Sequence, residues 1–154
     1  MIKKDTILIS TIVGLGATTI DIMIGLLLKL SGIIKTPLFL YVAKLSLVDV
    51  PAPKGLVYLI GLITHLGVGA LFAFVFVLLL QKWGEDYIYL KGAVFGISFL
   101  WIFRVVIIPN LITSGLKLKL SASSQPYHII TSIIWGLAAS YIYAVLTKRY
   151  MKAS

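Results

Sequence analysis

An acid, an arginine and two histidines in or beside long apolar runs are the residues whose types could do chemistry. Asp21, His65 and Arg104 each fall inside a run, and His128 stands at the start of another. A charge at the centre of a bilayer costs at least ~2.5 kcal/mol on insertion scales, and arginine does not shed its proton. Such residues therefore face a protein interior or water, where they pair or mark a path for ions and protons.

Positions within the runs predict that three of these residues share one depth. Asp21 lies fifteen residues after the first residue of its run, and His65 lies fifteen residues before the last residue of its run, so each is ~22 Å by helical rise from the membrane face where those two ends lie. Arg104 lies thirteen residues after Lys91, which is near the start of its run, or ~20 Å from that same face. We predict a buried polar cluster of Asp21, His65 and Arg104, with an Asp21–Arg104 ion pair and His65 beside it. The alternative is that the pair only fixes helix packing and His65 binds a backbone carbonyl.

His128 is expected nearer the opposite membrane face than the cluster. It follows Pro126 by two residues, which places it about 10 Å or more from the depth of His65. We interpret it as part of a vestibule. Two histidines at different depths with one buried acid make a poor haem or metal site, so we expect no cofactor and no metal.

Catalytic patterns are lacking. Asp21 is the only acid inside an apolar run, so a paired-carboxylate mechanism has no second group. Ser98 lacks the second glycine of a nucleophile elbow. There is no cysteine, which excludes disulfides and thiol chemistry. We expect no enzyme and keep a membrane enzyme as a third hypothesis, after the two given below.

Four apolar runs must position the polar residues. They cover residues 6–30, 56–80, 89–112 and 127–146, and each reaches the ~20 residues needed to span a bilayer. The 154 residues are 60% hydrophobic and 12% charged, against about 25% charged in soluble domains. We predict an all-α, integral membrane four-helix bundle forming one transmembrane domain over residues 1–154. The first run passes signal-peptide length without a clear cleavage site, so we expect it to be an uncleaved span.

The segment of about residues 37–50 is too short to span. Pro37 suits the first turn of a helix, and Pro51 and Pro53 would end one. We predict a helix lying in the membrane interface, with an ordered loop as the alternative.

Small residues recur every four positions in the second and fourth runs, which lets another helix approach closely. The predicted helix-packing residues are Gly61, Gly69, Ser132 and Gly136. The two faces align at an offset of 67 residues. This favours two tandem two-helix repeats in parallel, although any two apolar helices share some likeness.

The chain resembles small four-span bacterial inner-membrane proteins of the YqhR and YagU kind in three motifs. These are GAVFGISFLW followed by Ile107-Ile108-Pro109, the His-x-x-x-Gly of the second run, and Trp135-Gly136 in the fourth run. The resemblance covers the last three runs and implies four spans in a bacterial inner membrane. It implies nothing about mechanism. Asp21 and Arg104 do not match the pattern, so no functional residue is carried over.

Basic residues account for the net charge of +9, and they are scattered at the ends of runs rather than clustered. This placement fits lipid headgroups, so we expect a lipid bilayer as partner and no nucleic acid.

Side A bears both termini and residues 81–90, and side B bears residues 31–54 and 113–126. Side A holds seven basic residues and side B six, so the positive-inside rule gives almost no bias. We expect both termini on one side of the plasma membrane, with the cytoplasmic side slightly favoured and dual insertion as the alternative.

Two functional hypotheses follow. In the first, the protein is a binding or transport module for an anion, a proton or a lipid headgroup, and the polar cluster is its site. In the second, it is a structural or accessory subunit whose charges set helix register and the choice of a membrane partner or a second copy. Water access to the cluster distinguishes the two.

Overall fold

The computed structural model describes residues 5–47, 51–103 and 125–153 of the chain. Its helices are α1 Thr6–Leu30, α2 Leu38–Ser46, α3 Lys54–Trp83, α4 Ile88–Phe95, a π-helical segment Gly96–Trp101 that continues α4, and α5 Gln125–Ala153. These described ranges contain no strand, so the all-α prediction is confirmed for them.

Two features mark the ends of the helices. Glycines with positive φ follow α1 and α3, and a lysine side chain donates hydrogen bonds to carbonyls at the end of α3. α1 gives way to Gly32 with φ +77°, and α3 to Gly84 with φ +80°, a left-handed backbone that favours glycine. Lys91 Nζ donates hydrogen bonds to the carbonyls of Trp83 and Gly84, at 3.0 and 2.8 Å. The turn between α3 and α4 is therefore closed by a lysine at the negative end of α3.

Three helices are long and apolar enough to cross a membrane: Thr6–Leu30, Lys54–Trp83 and Pro126–Lys148. They are compatible with a multi-pass membrane protein. The apolar helix Ile88–Trp101 is shorter, and residues 104–112 of the predicted third span lie outside the described residues. The span predicted over residues 89–112, which would bring the number of spans to four, stays a prediction, as does membrane insertion.

The helices pack around a main apolar core, beside which lies a second, smaller one. α1 lies against α3 and α5, α4 packs on α5, and α2 packs on α3. The core combines small α1 residues such as Ala17 with the aromatic side chains of Phe76, Phe95 and Trp135. Large apolar side chains also cover the outside, among them Ile7, Leu8, Met23, Leu27, Leu59, Ile63, Leu71 and Tyr141.

Close helix contacts occur where side chains are smallest. Gly69 of α3 lies against Thr18 of α1, and Gly136 of α5 lies against Gly92 of α4. At Gly61, a Cβ atom would stand 2.5 Å from the carbonyl oxygen of Phe39 in α2. Each glycine therefore sits where a larger residue would push two helices apart.

Ser132 also lies at a helix contact. It is fully buried, its Oγ donates to the carbonyl of His128 at 2.7 Å, and its own carbonyl faces Gly96. The small-residue face of α5 thus contacts both α4 and the π-helical segment.

The short segment after α1 is a helix that begins directly after Pro37 and packs on the bundle. Phe39, Leu40 and Ala43 are buried, and Phe39 and Leu40 form a small core cluster with Ile22 of α1. The segment is therefore part of the packed protein, and residues 48–50 lie outside the described residues. Its placement at a membrane interface stays a prediction.

Candidate functional site

The contact between α1 and α3 brings Asp21 to His65. The helices run antiparallel, because rising positions in α1 meet falling positions in α3: Thr18 meets Gly69, and Asp21 meets His65. Gly69 presents no side chain, so the backbones approach closely at this level. One helical turn further along, the space between the helices accommodates a carboxylate and an imidazole.

Asp21 and His65 form a direct buried pair. The distance from His65 Nε2 to Asp21 Oδ2 is 3.0 Å, and the two residues are 7% and 6% exposed for His65 and Asp21 respectively. An ionised carboxylate only accepts hydrogen bonds, so Nε2 carries the hydrogen and donates it to Oδ2. The pair becomes an ion pair when the imidazole takes a second proton at Nδ1.

A small cavity adjoins the pair. Its volume is about 20 Å³, which is enough for about one water molecule. Polar wall groups come from three helices, namely Asp21, His65, Tyr127, His128 and Thr131. The other described residues of the wall are apolar or glycine and include Ile34 and Pro37 of the connection between α1 and α2. Such a mixture of polar partners is what a buried water requires.

His128 lies on this same cavity wall, in the first turns of α5. It is buried, with 5% of its surface exposed. The sequence places it in a vestibule nearer side B than His65, and the structure places it beside the cavity that reaches the Asp21–His65 pair. Its carbonyl accepts hydrogen bonds from Ser132 and Thr131, at 2.7 and 3.3 Å.

Arg104 lies outside the described residues, so the predicted Asp21–Arg104 pair stays a prediction. Within residues 5–47, 51–103 and 125–153, no group of three histidine, aspartate or glutamate residues is placed to hold a metal ion. The chemistry available at the described site is therefore hydrogen bonding, ion pairing and proton exchange.

A second buried hydrogen bond was not expected from the sequence. Trp135 Nε1 of α5 donates to Thr18 Oγ1 of α1 at 2.9 Å. A buried indole N–H needs a partner, and this requirement was the available signal. The sequence could not show which helix supplies the acceptor. The bond joins α5 to α1 one turn from Asp21.

No protein-family model, curated protein or solved structure matches the chain. The resemblance to four-span bacterial proteins therefore stays a prediction, and the geometry of the Asp21–His65 site carries the functional argument.

Proposed function

We propose that the chain is a four-span membrane protein in which the Asp21–His65 pair and its cavity form a binding or transport site for a small polar ligand. The three long apolar helices and their apolar outer surface support membrane insertion. The apolar run of residues 89–112, whose first part is α4 and the π-helical segment, would add a further span and bring the total to four.

The observation that carries the proposal is the position of the pair on a cavity wall. Ionisable residues inside membrane segments face the bundle interior or water and mark ligand paths. A cavity of about 20 Å³ accommodates about one water-sized group. Of the three ligand classes expected from the sequence, a lipid headgroup is too large for this space, so a proton or a small anion fits better.

The second candidate is a structural or accessory subunit without transport activity. The pair lies one turn from the Thr18–Gly69 contact and the Trp135–Thr18 hydrogen bond. All three contacts join helices, so the pair could act only in setting their register. The protein's partners would then be the bilayer and either a second copy or another membrane protein.

Thiol accessibility distinguishes the two candidates, because the chain contains no cysteine of its own. Thr131→Cys places a thiol on the cavity wall. Ala139→Cys is the matched control, since it lies two turns further along α5 and is fully buried in the core. The thiols are exposed to Ag⁺, a small thiophilic ion, and unreacted thiols are then labelled with a maleimide after denaturation.

The binding or transport proposal predicts that Ag⁺ blocks later labelling of Thr131→Cys and leaves Ala139→Cys fully labelled. Equal, complete labelling of both variants would mean that the cavity is closed to small ions. The structural alternative would then be preferred.

A further inference from the structure

We infer that the ligand of this site is a proton, which the Asp21–His65 pair holds and exchanges with water at one end of the bundle through His128. This inference rests on the proposed function and narrows it to one ligand and one route.

The pair can take up and release one proton without rearranging its hydrogen bond. His65 Nε2 keeps its hydrogen and continues to donate it to Asp21 Oδ2, with 3.0 Å between the two heavy atoms. The N–H bond that forms or breaks is the one at Nδ1. The imidazole charge changes between 0 and +1, so the total charge of the pair changes between −1 and 0. The proton comes from a hydronium ion in the cavity, which leaves as water. Imidazole is the side chain suited to this exchange near neutral pH.

Among the described residues, the titratable groups that face the site come from three helices. Asp21 belongs to α1, His65 to α3, and Tyr127 and His128 to α5, and all four line the cavity. From α2 the cavity wall receives Leu38 and Phe39, which do not titrate.

His128 is placed to pass the proton on. It shares with His65 a cavity that holds about one water. An imidazole can accept a proton at one ring nitrogen and donate one from the other. A water between the two rings would therefore complete a relay from the cavity wall to the pair.

The cavity points the exchange towards one end of the bundle. Its wall includes Leu28 in the last turn of α1, Pro37 before α2 and Tyr127 at the start of α5. These positions share the end of the bundle that the sequence assigns to side B. Towards the other end, the Thr18–Gly69 contact and Trp135 close the space between the helices. Among the described residues, the cavity therefore lies towards this one end of the bundle, and we propose that the proton exchanges there.

The chain's two histidines make the test direct. With ¹⁵N-labelled histidine, NMR of the full chain in lipid or detergent shows only His65 and His128, which the variants His65→Gln and His128→Gln assign. We expect the ring signals of His65 to report the gain of one proton at Nδ1 when the pH is lowered. We expect its proton exchange to slow about tenfold or more in His128→Gln, since a positioned acid or base accelerates transfer by at least that factor. Tyr141→Phe, on the exposed face of α5, is the control that should leave the exchange rate unchanged.

The wild-type protein supplies a second measurement that does not depend on a variant folding. Magnetisation transferred from water should reach the rings of His128 and His65 sooner than the indole of Trp135. Failure of His65 to change protonation would overturn the proton as ligand. An unchanged rate in His128→Gln, or water that reaches neither histidine first, would overturn the relay. The Thr131→Cys measurement still decides separately whether the cavity admits a small ion.

Discussion

Asp21 and His65 depend on each other because both are removed from water. A neutral imidazole left without its acceptor loses one hydrogen bond, at a cost of about 1–3 kcal/mol. A buried carboxylate that loses the imidazole loses a hydrogen bond to a charged group, which costs more than the same loss at a neutral group. Loss of His65 should therefore cost more free energy of unfolding than loss of Asp21.

This inequality predicts the outcome of a double-mutant cycle. His65→Leu should lower the stability of the folded protein more than Asp21→Leu, and the double variant should recover part of the loss; leucine is used because asparagine could still accept the hydrogen bond and glutamine could still donate one. Thermal unfolding in one detergent measures all four proteins. Losses that simply add would contradict the pair.

Lys29 and Tyr58 provide the matched control, because they join the same two helices by an exposed hydrogen bond of 2.7 Å. Tyr58→Phe should change stability by no more than about 0.5 kcal/mol. Repeating the cycle with Arg104→Gln and Asp21→Asn tests the ion pair predicted from the sequence. If the Asp21 and Arg104 substitutions show no coupling free energy, Arg104 would instead bind water or a lipid phosphate.

Thr18 and Trp135 allow a second prediction about single residues. Thr18→Val keeps the shape of the side chain but leaves the buried Trp135 N–H without its acceptor, which should destabilise the protein by about 1–3 kcal/mol. Thr19→Val is the adjacent control, since the exposed Thr19 hydroxyl bonds only to Leu15 within α1. Denaturant unfolding monitored by tryptophan fluorescence compares them. Equal losses in the two variants would show that the interhelical bond contributes nothing.

The helices themselves are held by glycines at their closest approaches. Gly69→Leu and Gly136→Leu should each separate a helix pair, because the new side chain meets Thr18 or the backbone of Gly92. Overpacking of this kind costs about 1–3 kcal/mol or more. Gly67→Leu is the control on α3, where nothing lies within 4 Å, and it should be tolerated. Folded yield and melting temperature measure the effect, and tolerance of Gly69→Leu would remove the close-packing argument.

Much of this arrangement could be predicted from the sequence, because it depends on regular helices. A fixed rise per residue brings Asp21 and His65 to one level, where the structure has them in contact. Spacing by four places small residues on one helix face, and Gly69 and Gly136 lie at matching contacts of α3 with α1 and of α5 with α4. This correspondence favours the predicted repeat.

Other features depend on contacts that no periodicity encodes. The π-helical segment Gly96–Trp101 needs only one extra residue per turn, which an apolar run does not reveal. An apolar stretch such as α2 suits a lipid surface or a protein partner equally, and only its packing on α3 identifies the partner. The cavity wall from Ile34 and Pro37 belongs to an irregular connection, whose path follows from packing rather than from pattern.

The whole molecule presents apolar side chains outwards as well as inwards, which suits a lipid environment. With four spans, the N- and C-termini should lie on the same side of the membrane. Reporters fused to each end, whose signals depend on the compartment, measure this. Opposite compartments for the two ends would contradict the four-span count. Equal signals from both compartments at each end would instead support dual insertion.

The central claim is that an acid and a histidine meet inside a membrane-embedded bundle. Solid-state NMR of the protein in bilayers tests it most directly, with ¹³C in the aspartate carboxyl groups and ¹⁵N in the histidine rings. We predict a short carboxyl-to-ring contact that persists in His128→Gln and disappears in Asp21→Asn, in keeping with the 3.0 Å separation of His65 Nε2 and Asp21 Oδ2. A folded, bilayer-embedded protein that shows no such contact would contradict the account.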